Sequence, residues 1–173
     1  MKVNSQIFRA YDIRGIVDEE LTEEGIFYIG KALGSYLLSK GRNSLVTARD
    51  GRVSGPRLLK QLQKGVMSSG CDVIDIGEVP TPLLYFSTFE TNVSDGVMLT
   101  GSHNPKNYNG LKIVIDKKSM TNEKIKKIKL IIDEENYLDG VGHISSFDVK
   151  EDYLREIKNK INIGSKIKVC LDC

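Results

Sequence analysis

The sequence predicts an α/β protein with a mixed, mostly parallel β-sheet that is sandwiched between helices. Strand-like and helix-like segments alternate along the 173 residues, and this order produces sheets with helices on both faces. The composition, with 40% hydrophobic and 28% charged residues, is that of an ordinary globular protein. The length favours one domain with part of a second.

The predicted helices have capping signals at their ends and apolar residues at helical spacing. Thr22 can cap the first helix, and Gly41 can end it in the left-handed conformation that glycine adopts easily. Ser54, followed by Pro56, marks the start of the second helix, and Gly70 marks its end. Three further helices are predicted over residues 81–90, from Thr121 with Ile125, Ile128 and Ile132 facing inward, and over residues 148–161.

The predicted strands are short apolar runs between these helices. They cover residues 44–48, 72–76, 95–100, 111–115 and, at the end of the chain, 166–172. Asn109-Gly110, a frequent tight-turn pair, is expected to precede the fourth strand, and residues 137–146 are expected to be irregular. Ligands of such sheets bind beyond the carboxyl ends of the strands, so the polar loops at those ends are candidates for a site.

The composition argues against several functional classes. The net charge is only +2, and the excess of lysine lies between Lys112 and Lys129, so no nucleic-acid partner is expected. No segment has the apolar length of a membrane span or the features of a signal peptide. Cys71, Cys170 and Cys173 are too few for a disulfide framework or a four-ligand zinc site. A reducing cytoplasm is the expected location.

The most informative run covers residues 95–115, where a polar loop follows a buried strand. Gly101 would give the backbone freedom and Pro105 would fix the exit, which would place Ser102 on a rigid loop at the end of the strand. An exposed serine there suits a nucleophile or phosphate carrier, and His103 and Lys112 could supply protons or positive charge. The alternative is a turn whose polar side chains only satisfy the backbone. A serine hydrolase is disfavoured because the G-x-S-x-G elbow is absent.

Two other segments combine basic residues with glycine. Residues 8–15 contain Arg9, Tyr11 and Arg14, whose guanidinium and hydroxyl donors suit a phosphate. A structural arginine–aspartate pair is an equally open interpretation of that segment. Residues 49–56 lie between a strand and a helix, where anions can bind, but they match no nucleotide-binding motif. A structural role, as a turn followed by a helix cap, is favoured for them.

The chain resembles the α-D-phosphohexomutases in four segments that occur in the family's order: FRAYDIRG, ARDGRVSGP, GEVPTPLLYF and TGSHNPKNYNGLKI. The phosphomannomutase/phosphoglucomutase branch is the more similar one, since phosphoglucosamine mutases open differently and prefer alanine at position 101. The resemblance is close over residues 7–115. It implies a first α/β domain over residues 1–147 and the truncated start of a second domain over residues 148–173.

The resemblance also implies an intramolecular phosphotransferase. Ser102 would be a phosphoserine that gives its phosphoryl group to a hexose monophosphate and takes the other phosphate back from a hexose 1,6-bisphosphate. By the same resemblance, the catalytic residues are Ser102, His103, Lys112 and Arg14, and the substrate-binding residues are Tyr11, Arg9 and Asn104.

The sequence departs from the family at the metal site. In the family, Mg²⁺ is held by a phosphoserine oxygen and by the aspartates of a D-G-D-G-D-R loop, which this sequence lacks, so Ser102 would provide one ligand through its phosphate. The expected partners are a mannose or glucose phosphate and the missing domains II to IV of a longer parent chain. Alone, the chain is expected to be inactive. The alternative is a non-catalytic module that binds sugar phosphates or dimerises.

Overall fold

A computed structural model describes residues 3–172 of the chain. The strands are Ile13–Ile16 (β1), Ser44–Arg49 (β2), Asp72–Glu78 (β3), Gly96–Leu99 (β4), Tyr108–Ile115 (β5), Lys118–Ser119 (β6) and Ile144–Ser146 (β7). The α-helices are Glu23–Leu38 (α1), Gly55–Ser68 (α2), Thr81–Glu90 (α3), Asn122–Asp133 (α4) and Lys150–Lys160 (α5). A 3₁₀ helix, Ser5–Ile7, precedes β1.

The sheet confirms the predicted mixed, mostly parallel arrangement. Its strand order is β1-β5-β4-β2-β3-β7, with β6 paired to β5. The strands β4, β2, β3 and β7 pair in parallel, whereas β5 is antiparallel to β1, β4 and β6. Six of the seven described strands therefore share one direction, and β5 opposes them. The loop from β4 to β5 consequently leaves and re-enters the sheet at the edge formed by the carboxyl ends of β2 and β4.

Helices cover both faces of the sheet, as predicted. The helices α1, α2 and α4 pack with the larger apolar cluster on one face, and α3 packs with a smaller cluster on the other. The helices α1 and α2 approach closely because Gly30 and Gly65 lie between them, and a Cβ on Gly65 would overlap the Phe27 carbonyl oxygen. Among residues 3–172, every helix is too short or too polar to cross a lipid bilayer.

The helix ends follow the sequence signals with one exception. Thr22 caps α1 by accepting a hydrogen bond from a first-turn amide at 3.0 Å. Gly41 has a φ of 71° and closes the end of this helix with amide bonds to its last turn, which is the usual role of such a glycine. The predicted capping by Ser54 is wrong. Ser54 precedes α2, but its hydroxyl accepts a hydrogen bond from Asn109 Nδ2 at 2.9 Å and caps no amide.

Three predictions about strands are wrong. Residues 137–146 are not irregular throughout, because the last three form β7 beside β3. Asn109-Gly110 lies within β5 and makes no turn, since Gly110 packs against β1 where a Cβ would overlap the Ile13 carbonyl oxygen. Residues 166–172 form no strand and are exposed, because a strand requires a partner and the described chain provides none there. Cys173 lies outside the described residues.

The segment after β7 is held loosely to the rest of the fold. Val149 is buried in the smaller apolar cluster, and Tyr153 packs edge-on against Phe86 with ring centroids 5.2 Å apart. Helix α5 itself buries no residue. The proposed division of the chain at residue 147 stays a prediction.

Candidate active site

Residues 101–107, which we call the serine loop, join β4 to β5 and contain the predicted serine. Ser102 is exposed and has a φ of 53°. This left-handed conformation is energetically unfavourable for any residue other than glycine. Its amide donates to Thr100 Oγ1 at 2.9 Å, and its Oγ lies 3.4 Å from His103 Nδ1. A strained conformation at an exposed serine supports a functional hypothesis for the loop.

The serine loop is held by Arg52, which lies between β2 and α2. The Arg52 guanidinium donates hydrogen bonds to the backbone carbonyls of Ser102 (3.0 Å), Asn104 (2.7 Å), Pro105 (2.7 Å) and Tyr108 (2.9 Å). Its Nε faces Asp50 Oδ2 at 3.4 Å, and the same oxygen accepts a hydrogen bond from the Thr100 hydroxyl at 2.7 Å. Residues 49–56 thus have a structural role, although not through the predicted cap at Ser54, and their connection with the serine loop was not predicted.

Gly101 is needed for a different reason from the one predicted. The sequence suggested that this glycine supplies backbone freedom, yet its φ is not left-handed and Ser102 takes the left-handed conformation instead. A Cβ at position 101 would overlap Arg52 Cζ. The glycine therefore makes room for the guanidinium beside the loop.

Arg14 connects the serine loop to the N-terminal segment. It lies on β1 opposite Gly110, and its guanidinium donates to Asp12 Oδ2 at 2.9 Å and to Asn104 Oδ1 at 3.3 Å. Asn104 in turn donates to the Gly101 carbonyl at 2.8 Å. The structural arginine–aspartate pair is thus present, but 32% of the Arg14 side chain stays exposed and can still face a ligand.

Three cavities along this edge contain most of the predicted site residues. The first cavity, of about 430 Å³, is lined by Arg9, Tyr11, Arg14 and Asn104. The second, of about 620 Å³, is lined by Ser102, Arg52 and Asn104. The third, of about 350 Å³, is lined by Tyr11 and Lys112. Asn104 is common to the first and second cavities, and Tyr11 is common to the first and third. The cavities are therefore neighbours.

The structure does not bring all of these groups into contact. Lys112 lies in β5 opposite Met98, and within residues 3–172 its side chain makes no hydrogen bond to the serine loop. His103 is exposed, and no carboxylate of the described chain accepts a hydrogen bond from it. A serine–histidine–acid triad is therefore not assembled, and the geometry gives no support to a serine hydrolase.

A cluster of ion pairs lies beside the serine loop. Arg57 on α2 binds Asp18 at 2.7 Å and Glu23 at 3.1 Å. Its hydrogen bonds lower the pKa of both carboxyl groups and raise the pKa of the guanidinium. Arg57, Asp18 and Lys106 line one small cavity, so this cluster ties the turn after β1 to α2 without reaching Ser102.

The described residues provide no complete metal site. Within residues 3–172, no three histidine, cysteine, aspartate or glutamate side chains are placed to share an ion. Burial raises the pKa of Cys71 to about 12, so its thiol packs in the core as a protonated group. Mg²⁺ requires six oxygen ligands, and a phosphate on Ser102 would supply one.

Comparisons with known proteins agree with the fold and with the predicted family. A family model described as phosphoglucomutase/phosphomannomutase, alpha/beta/alpha domain I, matches residues 5–139. A phosphomannomutase/phosphoglucomutase of Pseudomonas aeruginosa (strain PAO1) is 44% identical over 169 residues, which are 98% of this chain and 36% of that protein. A phosphoglucomutase of Neisseria meningitidis serogroup A is 36% identical over 168 residues, again 36% of its length.

Solved structures agree as well. A crystal structure of a phosphoglucomutase/phosphomannomutase family protein from Burkholderia thailandensis has a TM-score of 0.91 and 34% identity, and covers 94% of this chain and 37% of that one. The three layers and the serine loop define an α/β/α domain with an exposed serine at the carboxyl edge of its sheet. The chain belongs to the phosphoglucomutase/phosphomannomutase family and matches its domain I. It spans 36% of the length of the relatives described above.

Proposed function

We propose that the chain is the serine-bearing domain of a mutase that interconverts hexose 1-phosphates and 6-phosphates, with Ser102 carrying the phosphoryl group. The observation that supports this most is the exposed, left-handed Ser102 on a loop fixed by hydrogen bonds. A nucleophile held in one position favours in-line displacement because little entropy is lost in orienting it for the reaction. The relatives named phosphomannomutase/phosphoglucomutase support the hexose phosphates as the substrate class.

The proposed transfer has two half-reactions. In the first, the bond between phosphorus and Ser102 Oγ breaks while a bond forms from phosphorus to a hydroxyl oxygen of the hexose monophosphate. The proton of that hydroxyl passes through a base to Ser102 Oγ, and the product is a hexose 1,6-bisphosphate. In the second, the other phosphate returns to Ser102 Oγ by the reverse steps and leaves the isomeric monophosphate.

The neighbouring side chains suit the roles that such a transfer needs. His103 Nδ1 lies 3.4 Å from Ser102 Oγ, and His103 would move the proton once this contact shortens around substrate. Arg14 and Lys112 would offset the negative charge of the transferring group. Arg9 and Tyr11 are exposed donors beside Arg14 and would bind the sugar phosphate.

Mg²⁺ belongs to the proposal for a longer parent protein that includes domains II to IV. The described residues do not fit a magnesium site by themselves, since no three of their histidine, cysteine, aspartate or glutamate side chains are placed to share an ion. When bound, the ion would neutralise charge on the phosphoryl group. The proton and phosphoryl transfers above depend only on residues of this chain and on the substrate.

The test replaces Ser102 in the full-length gene product. We expect Ser102→Ala to reduce turnover of glucose 1-phosphate and mannose 1-phosphate, measured with catalytic hexose 1,6-bisphosphate, on the order of 10⁴-fold or more. Ser165→Ala, which changes an exposed serine of the C-terminal segment, is the matched control and should stay fully active. Peptide mass spectrometry of the wild type should locate one phosphoryl group on Ser102.

Two outcomes would contradict the proposal. Near wild-type turnover by Ser102→Ala would show that another group stores the phosphoryl. Binding of hexose phosphates by the wild type with no turnover would instead favour the non-catalytic module.

A further inference from the structure

We infer that Arg52 is a positioning residue for the transfer: its guanidinium fixes the backbone conformation in which Ser102 presents its hydroxyl. This inference rests on the proposed function of Ser102. Arg52 lies in the segment between β2 and α2, and none of the proposed catalytic residues belongs to that segment. The inference therefore gives this segment a role in the reaction.

The guanidinium of Arg52 is committed mainly to the serine loop. An arginine side chain has five N–H groups. Here Nη1 donates to the carbonyls of Pro105 and Tyr108, Nη2 donates to those of Ser102 and Asn104, and Nε lies 3.4 Å from Asp50. Only 15% of the Arg52 side chain is exposed, compared with 32% of the Arg14 side chain. Four of the five N–H groups of Arg52 are therefore already used on backbone carbonyls.

These contacts control the strained residue directly. The amide of Ser102 is held by Thr100 Oγ1, and its carbonyl is held by Arg52. Both Thr100 and Arg52 bind the same oxygen of Asp50, so one carboxylate supports the groups that hold the amide and the carbonyl of Ser102. A left-handed conformation in a residue with a side chain persists when its surroundings fix it in this way.

A positive charge at position 52 would not by itself hold the serine loop, because several carbonyl acceptors must be bound by donors in a fixed arrangement. The planar guanidinium provides such a fork, whereas the lysine ammonium has three donors in a tetrahedral arrangement. Gly101 completes the arrangement, since a Cβ there would lie 2.2 Å from Arg52 Cζ. Position 101 and position 52 should therefore be energetically coupled.

The first experiment compares Arg52→Gln and Arg52→Lys in the full-length gene product. We expect kcat to fall about 100-fold in both, as for a misplaced reacting group, while KM for the hexose phosphate changes less than about 2-fold because four N–H groups of Arg52 are bound to backbone carbonyls. Arg57→Gln removes a nearby surface arginine of α2 and is the matched control, with kcat unchanged. A large rise in KM with kcat retained would assign Arg52 to substrate binding and overturn the inference.

The second experiment measures the loop itself. Amide hydrogen exchange at Ser102, Asn104 and Tyr108 should become faster in Arg52→Gln, while exchange in α1 and β2 stays as in the wild type. A variant that is destabilised as a whole would instead exchange faster everywhere, and that pattern would contradict a positioning role.

The third experiment is a double-mutant cycle between Gly101→Ala and Arg52→Gln. We expect Gly101→Ala to lower kcat about 10- to 100-fold in the wild type and less than about 3-fold in the Arg52→Gln background, because the steric conflict is then gone. Additive effects would contradict the close approach of the two residues.

The outcomes separate this inference from the proposed function. If the wild type places no phosphoryl group on Ser102 and has no turnover, the proposed function fails, and the positioning role for transfer fails with it. If the wild type turns over and Arg52→Gln is equally fast with unchanged loop exchange, only the inference fails. The predicted drop in kcat with localised exchange supports both.

Discussion

Two segments meet at the carboxyl edge of the sheet, and they are held in different ways. The serine loop is fixed through its backbone, because Arg52 and Thr100 bind its carbonyls and an amide. The N-terminal segment, residues 8–12, is closed by a single bridge and by a 2.9 Å bond from the Arg9 amide to the Asp12 carbonyl. Arg9 and Tyr11 of this segment are exposed, and Tyr11 is 76% exposed.

Under the proposed function, the difference would correspond to two tasks. A reacting oxygen must be held at one position, and backbone hydrogen bonds to the serine loop provide that. Groups that recognise a sugar phosphate in two orientations benefit from freedom to adapt, and exposed side chains on a lightly held segment provide it. Arg14 joins the two segments by binding Asp12 on one side and Asn104 on the other.

The largest effect should come from Gly110→Ala, which disturbs both segments at once. Gly110 lies where β5 pairs with β1, and a Cβ there would overlap the Ile13 carbonyl oxygen. We expect the free energy of unfolding, measured by chemical denaturation, to fall by about 1–3 kcal/mol. Gly164→Ala, with no atom near its Cβ position, should change it by less than about 0.5 kcal/mol. Equal stability of the two variants would show that β5 and β1 can separate without cost.

A smaller effect should follow from Arg14→Lys, which keeps the charge but removes the link between the segments. Lysine cannot bind Asp12 and Asn104 through a planar fork, so we expect turnover by the full-length gene product to fall about 10- to 100-fold, the equivalent of one charged hydrogen-bond pair. Arg155→Lys, an exposed arginine of α5, should leave turnover unchanged. Wild-type kinetics in Arg14→Lys would mean that the segments act independently.

The smallest effect should come from Tyr11→Phe, which removes one hydroxyl from the lightly held segment. We expect KM for the hexose phosphate to rise about 2- to 10-fold, as for one neutral hydrogen bond, with kcat unchanged. Stability should not change because the ring is mostly exposed. Tyr153→Phe is the control for the loss of a hydroxyl far from the site. A fall in kcat without a change in KM would place Tyr11 in the chemistry instead.

The serine loop was predictable because its signals are local. A buried apolar run that stops at a glycine, with serine, histidine, asparagine and proline after it, describes an exposed loop without reference to distant parts of the chain. Arg52 was not predictable in the same way, because its partners are backbone carbonyls far along the chain, and carbonyls have no sequence signature. Asp50, which the sequence marks only as a turn residue, is connected to the site by the same contacts.

The strand errors have a related cause. Alternation in residues 166–172 shows that the segment could form a strand, but a ladder also needs a neighbouring strand, which the described chain does not offer. The opposite happens at Ile144–Ser146, whose exposed residues show no alternation of burial and yet pair with β3, because an edge strand is stabilised by backbone bonds to one neighbour. Sequence patterns report side-chain burial, and edge pairing depends little on it.

The reversed direction of β5 bears on whether the serine loop or the sugar would move during the proposed reaction. Leu99 and Leu111 face each other across the ladder, so the serine loop is anchored at both ends to neighbouring strands in the middle of the sheet. Such a loop has no single hinge about which to swing. In the proposed reaction, a group on Ser102 would therefore stay at a fixed point, and a sugar with two different oxygens to phosphorylate would have to turn end over end to offer each. The serine loop would be the stationary part of that exchange, and the sugar would be the moving one.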